Sequence, residues 1–203
     1  FKPNYDSNLI RIGSKHDGGY LVEKKSAKMS NFLLSFGINY NWDFEKHFNK
    51  PFLAYDDQIN LKFTFFWFFK RCVSISSMLF YLKNRKSFIK GFVGVKPFTF
   101  NNIIKSIPNE NNFLKIDIEG SEYVLLDNII KYKKKFIGIV IEFHDVEKNL
   151  SQIIDFIKNI ELEIVHIHAN NFGGISKNNT PNVLEFTFSK FHKKDLFKNN
   201  LPH

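Results

Sequence analysis

Groups able to hold a ligand or take up its proton recur in this 203-residue chain at the ends of apolar runs. The densest case is Lys115-Ile-Asp117-Ile-Glu119-Gly120-Ser-Glu122. Asp117 closes an otherwise apolar stretch, and Glu119-Gly120 turn the chain toward the next element. Carboxylates two residues apart on an extended segment share one side. Crowding them at a strand tip is costly unless they meet a cation or support a turn. A sulfonium, a metal, a substrate hydroxyl, or a helix cap around Ser121 and Glu122 would each use them. Glu142-Phe-His144-Asp145 ends a second apolar run. His166 and His168 share one face of a third, followed by Asn170-Asn171-Phe-Gly-Gly174. Histidine titrates near neutrality and is the natural proton acceptor. His144 is the first candidate base, His168 the second, and Asp117 the third. Asp117, His144 and His168 also form an oxygen-and-imidazole set suited to a divalent ion; a metal-free site is the expectation and the ion its alternative.

Two further positions suit a nucleoside. Ser35-Phe36-Gly37-Ile38-Asn39 follows an apolar run, and a glycine there lets backbone approach a ligand closely. Asp56 ends the next apolar run about 20 residues later, where nucleoside-binding sheets keep an acid for the ribose hydroxyls. Asp57 could take that role instead. Near the start, Asp17-Gly18-Gly19 between short apolar stretches signals a tight turn. It makes either a plain hairpin or a lid over the ligand.

The elements that must position these groups alternate. Apolar or period-two runs at Asn31–Gly37, Phe52–Asp56, Ser87–Val95, Phe113–Ile118, Ile137–Glu142, Glu163–His168 and Asn182–Phe188 predict seven strands. Helical patterns lie between the first six, at Trp42–Phe48 (with Asn39 or Asn41 as N-cap), Leu61–Leu82, Phe98–Ile107, Ser121–Ile130 and Leu150–Ile160. Strand–helix alternation predicts a mostly parallel sheet with helices on both faces; the last two strands, joined without a helix, predict an antiparallel pair. Ligands of such sheets bind beyond the carboxyl ends of the strands, which is where the acids and histidines fall. One domain over 1–203 is expected, with residues 1–30 as hairpin or lid and 31–190 as the core.

Composition narrows the partners. The net charge of +9 suggests nucleic acid, but only three of the 29 basic residues are Arg, the side chain favoured for forked phosphate and base contacts. Lysine enrichment beside abundant Asn, Ile and Phe reads as base-composition bias on a solvated surface. An anionic or membrane-associated substrate is the functional alternative. Cys72 is the single cysteine, so no intrachain disulfide forms, and its apolar neighbours predict a small core residue. No targeting segment is visible, and the longest aromatic run, Phe63–Phe69, is far short of the ~20 residues of a membrane span. The expectation is a cytoplasmic protein without a transmembrane segment.

In order and spacing these segments resemble the FkbM-type methyltransferase family of the class I, Rossmann-like group. The matching stretches are Arg11–Val22, Leu34-Ser-Phe-Gly37 with Trp42–Glu45, Tyr55-Asp56, Leu114–Glu122, Ile141-Glu-Phe-His144, His166–Asn171 and Asn182–Thr187. The resemblance implies a seven-stranded class I sheet with an antiparallel C-terminal strand. It also implies S-adenosylmethionine as methyl donor and O-methylation, often of sugars in surface glycans or secondary metabolites. It carries donor contact onto Gly37, Asp56 and Asp117, with Ser35, Phe36 and Asn39 as neighbours. The acceptor would then meet Glu119, His166, Asn170 and Asn171. Transfer to an alcohol needs donor and acceptor aligned and a base for the proton. The sequence departs from the family where a second glycine would follow Gly37. The other readings are a catalytically inactive nucleoside- or glycan-binding module and a nucleic-acid methyltransferase.

Overall fold

The computed structural model describes residues 8–15 and 18–191. Two strands, β1 (Leu9–Ile12) and β2 (Tyr20–Glu23), pair antiparallel as a separate hairpin. Asp17 of the turn signal between them lies outside the described residues. α1 (Lys24–Met29) follows, capped by the Glu23 carboxylate, which accepts the N–H groups of Lys25 and Ser26.

The main sheet is built from β3 (Phe32–Phe36), β4 (Phe52–Asp56), β5 (Phe88–Lys90), β6 (Asn112–Ile116), β7 (Phe136–Phe143), β8 (Glu163–Ala169) and β9 (Leu184–Ser189). Their order is β5-β4-β3-β6-β7-β9-β8. β3 to β7 pair in parallel, and β9 runs antiparallel to both neighbours. The chain therefore reverses its direction of winding between β3 and β6. This is the doubly wound, Rossmann-like topology the sequence predicts.

Alternate side chains of the central strands go to opposite cores, as the two-residue period of a strand requires. Leu34, Phe36, Leu114, Ile116, Ile139 and Ile141 lie in one core with α6 (Leu126–Lys131) and α7 (Val146–Asn159). Leu33, Ala54, Phe113 and Val140 lie in the other with α2 (Asp43–Phe48) and the hairpin. α7 holds to the sheet through Val146, Ile153 and Phe156, all at most 1% exposed, each worth about 1.5–3 kcal/mol of burial. The hairpin packs across the other face: Tyr20 and Val22 are buried there, and Thr187 Oγ1 donates to the Leu21 carbonyl at 2.6 Å.

Several expectations are corrected. Leu61–Leu82 is two helices, α3 (Leu61–Phe69) and α4 (Ile75–Lys83). Arg71 takes a left-handed backbone (φ 60°) between them, and the Ser74 side chain caps α4 by accepting the Ser77 N–H. The third strand spans only Phe88–Lys90 rather than Ser87–Val95. The helix expected over Phe98–Ile107 is the short α5 (Phe100–Ile103), capped by Thr99. Neither Asn39 nor Asn41 is the N-cap of α2; Trp42 is, although Asn41 Oδ1 accepts the Asp43 N–H. Ser121 caps nothing with its side chain, and the segment opens as a 3-10 turn over Glu122–Leu125. Cys72 is exposed, not core, because the break after α3 turns it outward.

Candidate functional site

The carboxyl ends of β3, β4 and β6 meet around one cleft of about 640 Å³. Its floor begins at Gly37, whose φ of 74° favours glycine and where a Cβ would stand 1.5 Å from the Asp117 carbonyl oxygen. That approach is fixed because Gly37 N–H donates to Tyr55 O, and Asp117 N–H donates to Phe36 O. Two residues on, Asn39 takes φ 47°. Among residues with a side chain, asparagine is one of the few that tolerates this region. It therefore makes, with a side chain, a turn that glycine would make most readily.

Asp56 stands at the tip of β4, but its oxygens are engaged by backbone. Oδ2 accepts the N–H groups of Ile38 (3.0 Å) and Asn39 (2.8 Å), and Oδ1 those of Gln58 (2.8 Å) and Ile59 (3.1 Å). A carboxylate has about four lone-pair sites, and here four amides fill them. Asp56 ties the loop after β3 to the loop after β4. Its neighbour Asp57 is exposed and also lines the cleft. Phe92 and Val93, after β5, close the same end.

The other end is acidic. Tyr20 Oη, reaching in from the hairpin, lies 2.8 Å from Asp117 Oδ2 and 3.3 Å from Glu142 Oε2. The buried Lys115 ammonium donates to the Gly37 carbonyl and sits 3.7 Å from Asp117 Oδ2. Burial, with Asp117 and Glu185 adding repulsion, pushes the Glu142 carboxyl up to about 8 against the pull of His144 and Lys115. Glu142 is thus mostly protonated at neutral pH and can supply the Tyr20 oxygen with a bond while Tyr20 donates to Asp117. Burial and the charges of Asp117 and Glu142 hold the Tyr20 phenol well above its ordinary value.

His144 is surrounded by carboxylates. Nδ1 lies 3.3 Å from Glu122 Oε1, and Nε2 lies 3.3 Å from Glu119 Oε2 and 3.5 Å from Glu142 Oε1. Burial alone would lower its pKa, but the hydrogen bond and charge of Glu122, with Glu142 and Asp117, raise it to about 9. Glu122 is fully buried and also accepts the backbone N–H of His144 (2.6 Å) and of Gly120 (2.9 Å). Tyr123 donates to the His144 carbonyl. Asn170 reaches back from the end of β8 to donate to Glu142 Oε1 at 3.1 Å.

The sequence-predicted residues divide accordingly. Gly37, Asn39, Asp56, Asp117 and Glu119 line the cleft. His144 and Asn170 adjoin it through Glu142. Ser35 and Phe36 face away from it. Ser35 donates to the buried Glu45 at 2.5 Å, and Phe36 sits in the core against Tyr55 and Phe100. His166 and His168 stack on each other at 6.3 Å on the outer strand β8, across from β9 and outside the cleft lining. Asn171 is in an exposed turn. The set able to chelate a divalent ion is Asp117, Glu119 and His144, with donor atoms within 4.8 Å of one another; His168 is not part of it. Tyr20, Lys115, Glu122 and Glu142 receive no ligand-binding or catalytic role from the sequence, although the last three stand in the runs it singles out. Charged residues inside otherwise apolar strands, as at Lys115 and Glu142, are the signal that would have flagged two of them.

Residues 4–161 match the family described as Methyltransferase FkbM domain. No curated protein matches the chain. Among solved structures it is similar to the precorrin-6y C5,15-methyltransferase of Geobacter metallireducens, at 12% identity over 82% of this chain and 86% of that one, with a TM-score of 0.45. It is also similar to the fibrillarin pre-rRNA processing protein of Methanococcus jannaschii, at 12% identity over 93% and 84%, with a TM-score of 0.47. An rRNA methylase from Streptococcus thermophilus is similar at 12% identity over 81% and 91%, with a TM-score of 0.45. With the match running over most of its length, the chain belongs to the FkbM methyltransferase domain family.

Proposed function

We propose that this protein is an S-adenosylmethionine-dependent O-methyltransferase acting on a sugar hydroxyl in the cytoplasm. The observation that carries the reading is the convergence of Gly37, Asn39, Asp57, Asp117 and Glu142 on one cleft at the carboxyl edge of the sheet. The donor, when bound, supplies an electrophilic methyl group on a cationic sulfur. This chain's residues divide the remaining work. The close-packed backbone at Gly37 and Asn39 leaves room for the nucleoside. Asp57, which makes no hydrogen bond to the described residues, offers its carboxylate to the ribose hydroxyls, while Asp56 holds the two loops in register. Asp117 provides the carboxylate where a cation is to be held, and Glu142, largely protonated at neutral pH, stands beside it as a hydrogen-bonding neighbour through Tyr20.

On the acceptor side, Glu119, His144 and Asn170 present the acceptors and donors that a polyol requires. His144 is the proton acceptor in its neutral form, a minority at neutral pH because its carboxylate neighbours raise its pKa to about 9, so transfer should quicken as pH climbs toward 9. Glu119 and Glu122 orient its ring. The Arg-poor surface supports a small or glycan acceptor over nucleic acid.

Titration calorimetry with S-adenosylhomocysteine tests the donor half. Binding that weakens on Asp117→Asn and on Asp57→Ala supports the reading, and absence of binding to the folded chain removes it. Transfer of labelled methyl to nucleotide-linked sugars or polysaccharides tests the acceptor half. Transfer to RNA alone would overturn it.

A further inference from the structure

The excess charge of this chain is concentrated in one stretch of its sequence. Residues 58–109 contain nine Lys or Arg and no Asp or Glu. The rest of the sequence carries twenty of each, so the whole excess of +9 falls within this segment. A genome-wide lysine bias would spread the excess along the chain.

The same segment exposes apolar surface. On α3 the exposed residues are Lys62, Phe65, Phe66 and Phe69, at the three- and four-residue steps of one helical face. The opposite side of α3 is anchored: Thr64 is buried and Trp67 stacks on Tyr40 at 4.4 Å. On α4 the exposed apolar residues are Ile75, Leu79 and Leu82, again one face, while Ser77, Met78 and Tyr81 are buried. Phe69 is 77% exposed and Ile75 70%. Cations border both stripes: Lys62, Lys70 and Arg71 beside α3, and Lys83, Arg85 and Lys86 at the end of α4, all exposed. The Lys70 ammonium lies 5.7 Å from the centre of the Phe66 ring.

We propose that the α3–α4 pair docks the protein on an anionic lipid surface. Aromatic and aliphatic side chains bordered by lysine, with no carboxylate among them, match the headgroup region. There the apolar groups enter the acyl boundary and the ammonium groups meet lipid phosphates. Charge decides between this occupant and a second copy of the chain, because two such faces would repel each other. The aliphatic residues decide against nucleic acid, since Ile75, Leu79 and Leu82 cannot stack on bases. Cys72, in the connection between the helices, lines the cleft, so docking brings the cleft mouth near the lipid surface.

Vesicle co-sedimentation of the full chain tests this. Phosphatidylcholine vesicles containing about 30% phosphatidylserine, the leaflet-like anionic case, should pellet the protein, and pure phosphatidylcholine should not. Added salt should weaken binding. Lys70→Ser should cost roughly 5-fold in partitioning. Phe69→Ser with Ile75→Ser should cost about 10-fold or more, with an unchanged unfolding temperature because both side chains are already in water. Equal binding to neutral vesicles, no binding to anionic ones, or binding indifferent to the Phe69 and Ile75 changes would each overturn the proposal. So would a dimer in solution that these substitutions dissolve, or capture of RNA in preference to the anionic vesicles.

Discussion

Replacing Asp56 separates two roles that a strand-tip acid can play. If its carboxylate served only ribose, Asp56→Ala would weaken ligand binding and leave the ligand-free protein unchanged. The structure gives it four backbone donors instead. Asn39 and Gln58 are exposed and their N–H groups can turn to water, whereas Ile38 and Ile59 are 3% and 2% exposed. Two donors that lose an ionised acceptor in partly buried positions cost about 1–3 kcal/mol each, so Asp56→Ala should lose roughly 3 kcal/mol overall. In a domain of this size that lowers the unfolding temperature by about 6–12 °C. Asp56→Asn should fall between, because its amide oxygen keeps one pair of donors while its NH₂ opposes the other. Urea and thermal unfolding of the ligand-free chain read the effect directly. A change under about 0.5 kcal/mol for Asp56→Ala, the size of an ordinary surface substitution, would refute the assignment of Asp56 as a loop tie.

Gly37→Ala should abolish S-adenosylhomocysteine binding and destabilise the fold, since the new methyl collides with the Asp117 backbone at a positive φ; a wild-type calorimetric profile would contradict this. Ligand-free stability should decline from about pH 5, where Glu142 begins to lose its contribution, to about pH 9, where His144 has lost most of its own. His144, raised to about 9, stabilises fully below its unfolded value of 6.5 and loses that contribution as pH rises through 9. Glu142, raised from 4.5 to about 8, likewise favours the folded state while protonated and loses that contribution as pH rises through 8. Glu142→Gln should flatten the decline in a pH series of unfolding midpoints. His144→Gln should cut methyl transfer by 10²-fold or more, on the scale of a lost general base, and His168→Gln by little. Comparable losses in single-turnover assays would return His168 to the site. Chelation with EDTA should leave transfer intact, and activity restored only by added Mg²⁺ or Mn²⁺ would assign Asp117, Glu119 and His144 as ligands.

How much was legible beforehand follows from the range of each signal. Buried parallel strands announce themselves as apolar runs, so β4 and β6 fall where the sequence places them, and Gly37 and Asp117 mark the edge where ligands collect. Breaks inside apolar helices leave a fainter trace: nothing in the periodicity of 61–82 shows that Arg71 turns left-handed, although Ser74 is a recognisable cap. The carboxylate cluster was legible only in parts. Tyr20 meets Asp117 across 97 positions and Glu142 across 122, and single-sequence patterns carry no information at that separation. Phe36 was misplaced by one step of the pleat, which sends it into the core while its neighbour Gly37 faces the cleft. Asn39 departs from a glycine-rich loop in residue type, yet its tolerance for positive φ makes it a substitute.

Glu122 has a consequence for anyone who would retarget this protein. Its side chain grips the turn after β6 and, through both the ring and the backbone of His144, the exit of β7. On the proposed reading, donor-side and acceptor-side walls share a single internal rivet. Redesign that enlarges the pocket around His144 will shift donor affinity along with acceptor choice, and selection for a new acceptor should repeatedly return compensating changes in the Glu119–Ser121 turn.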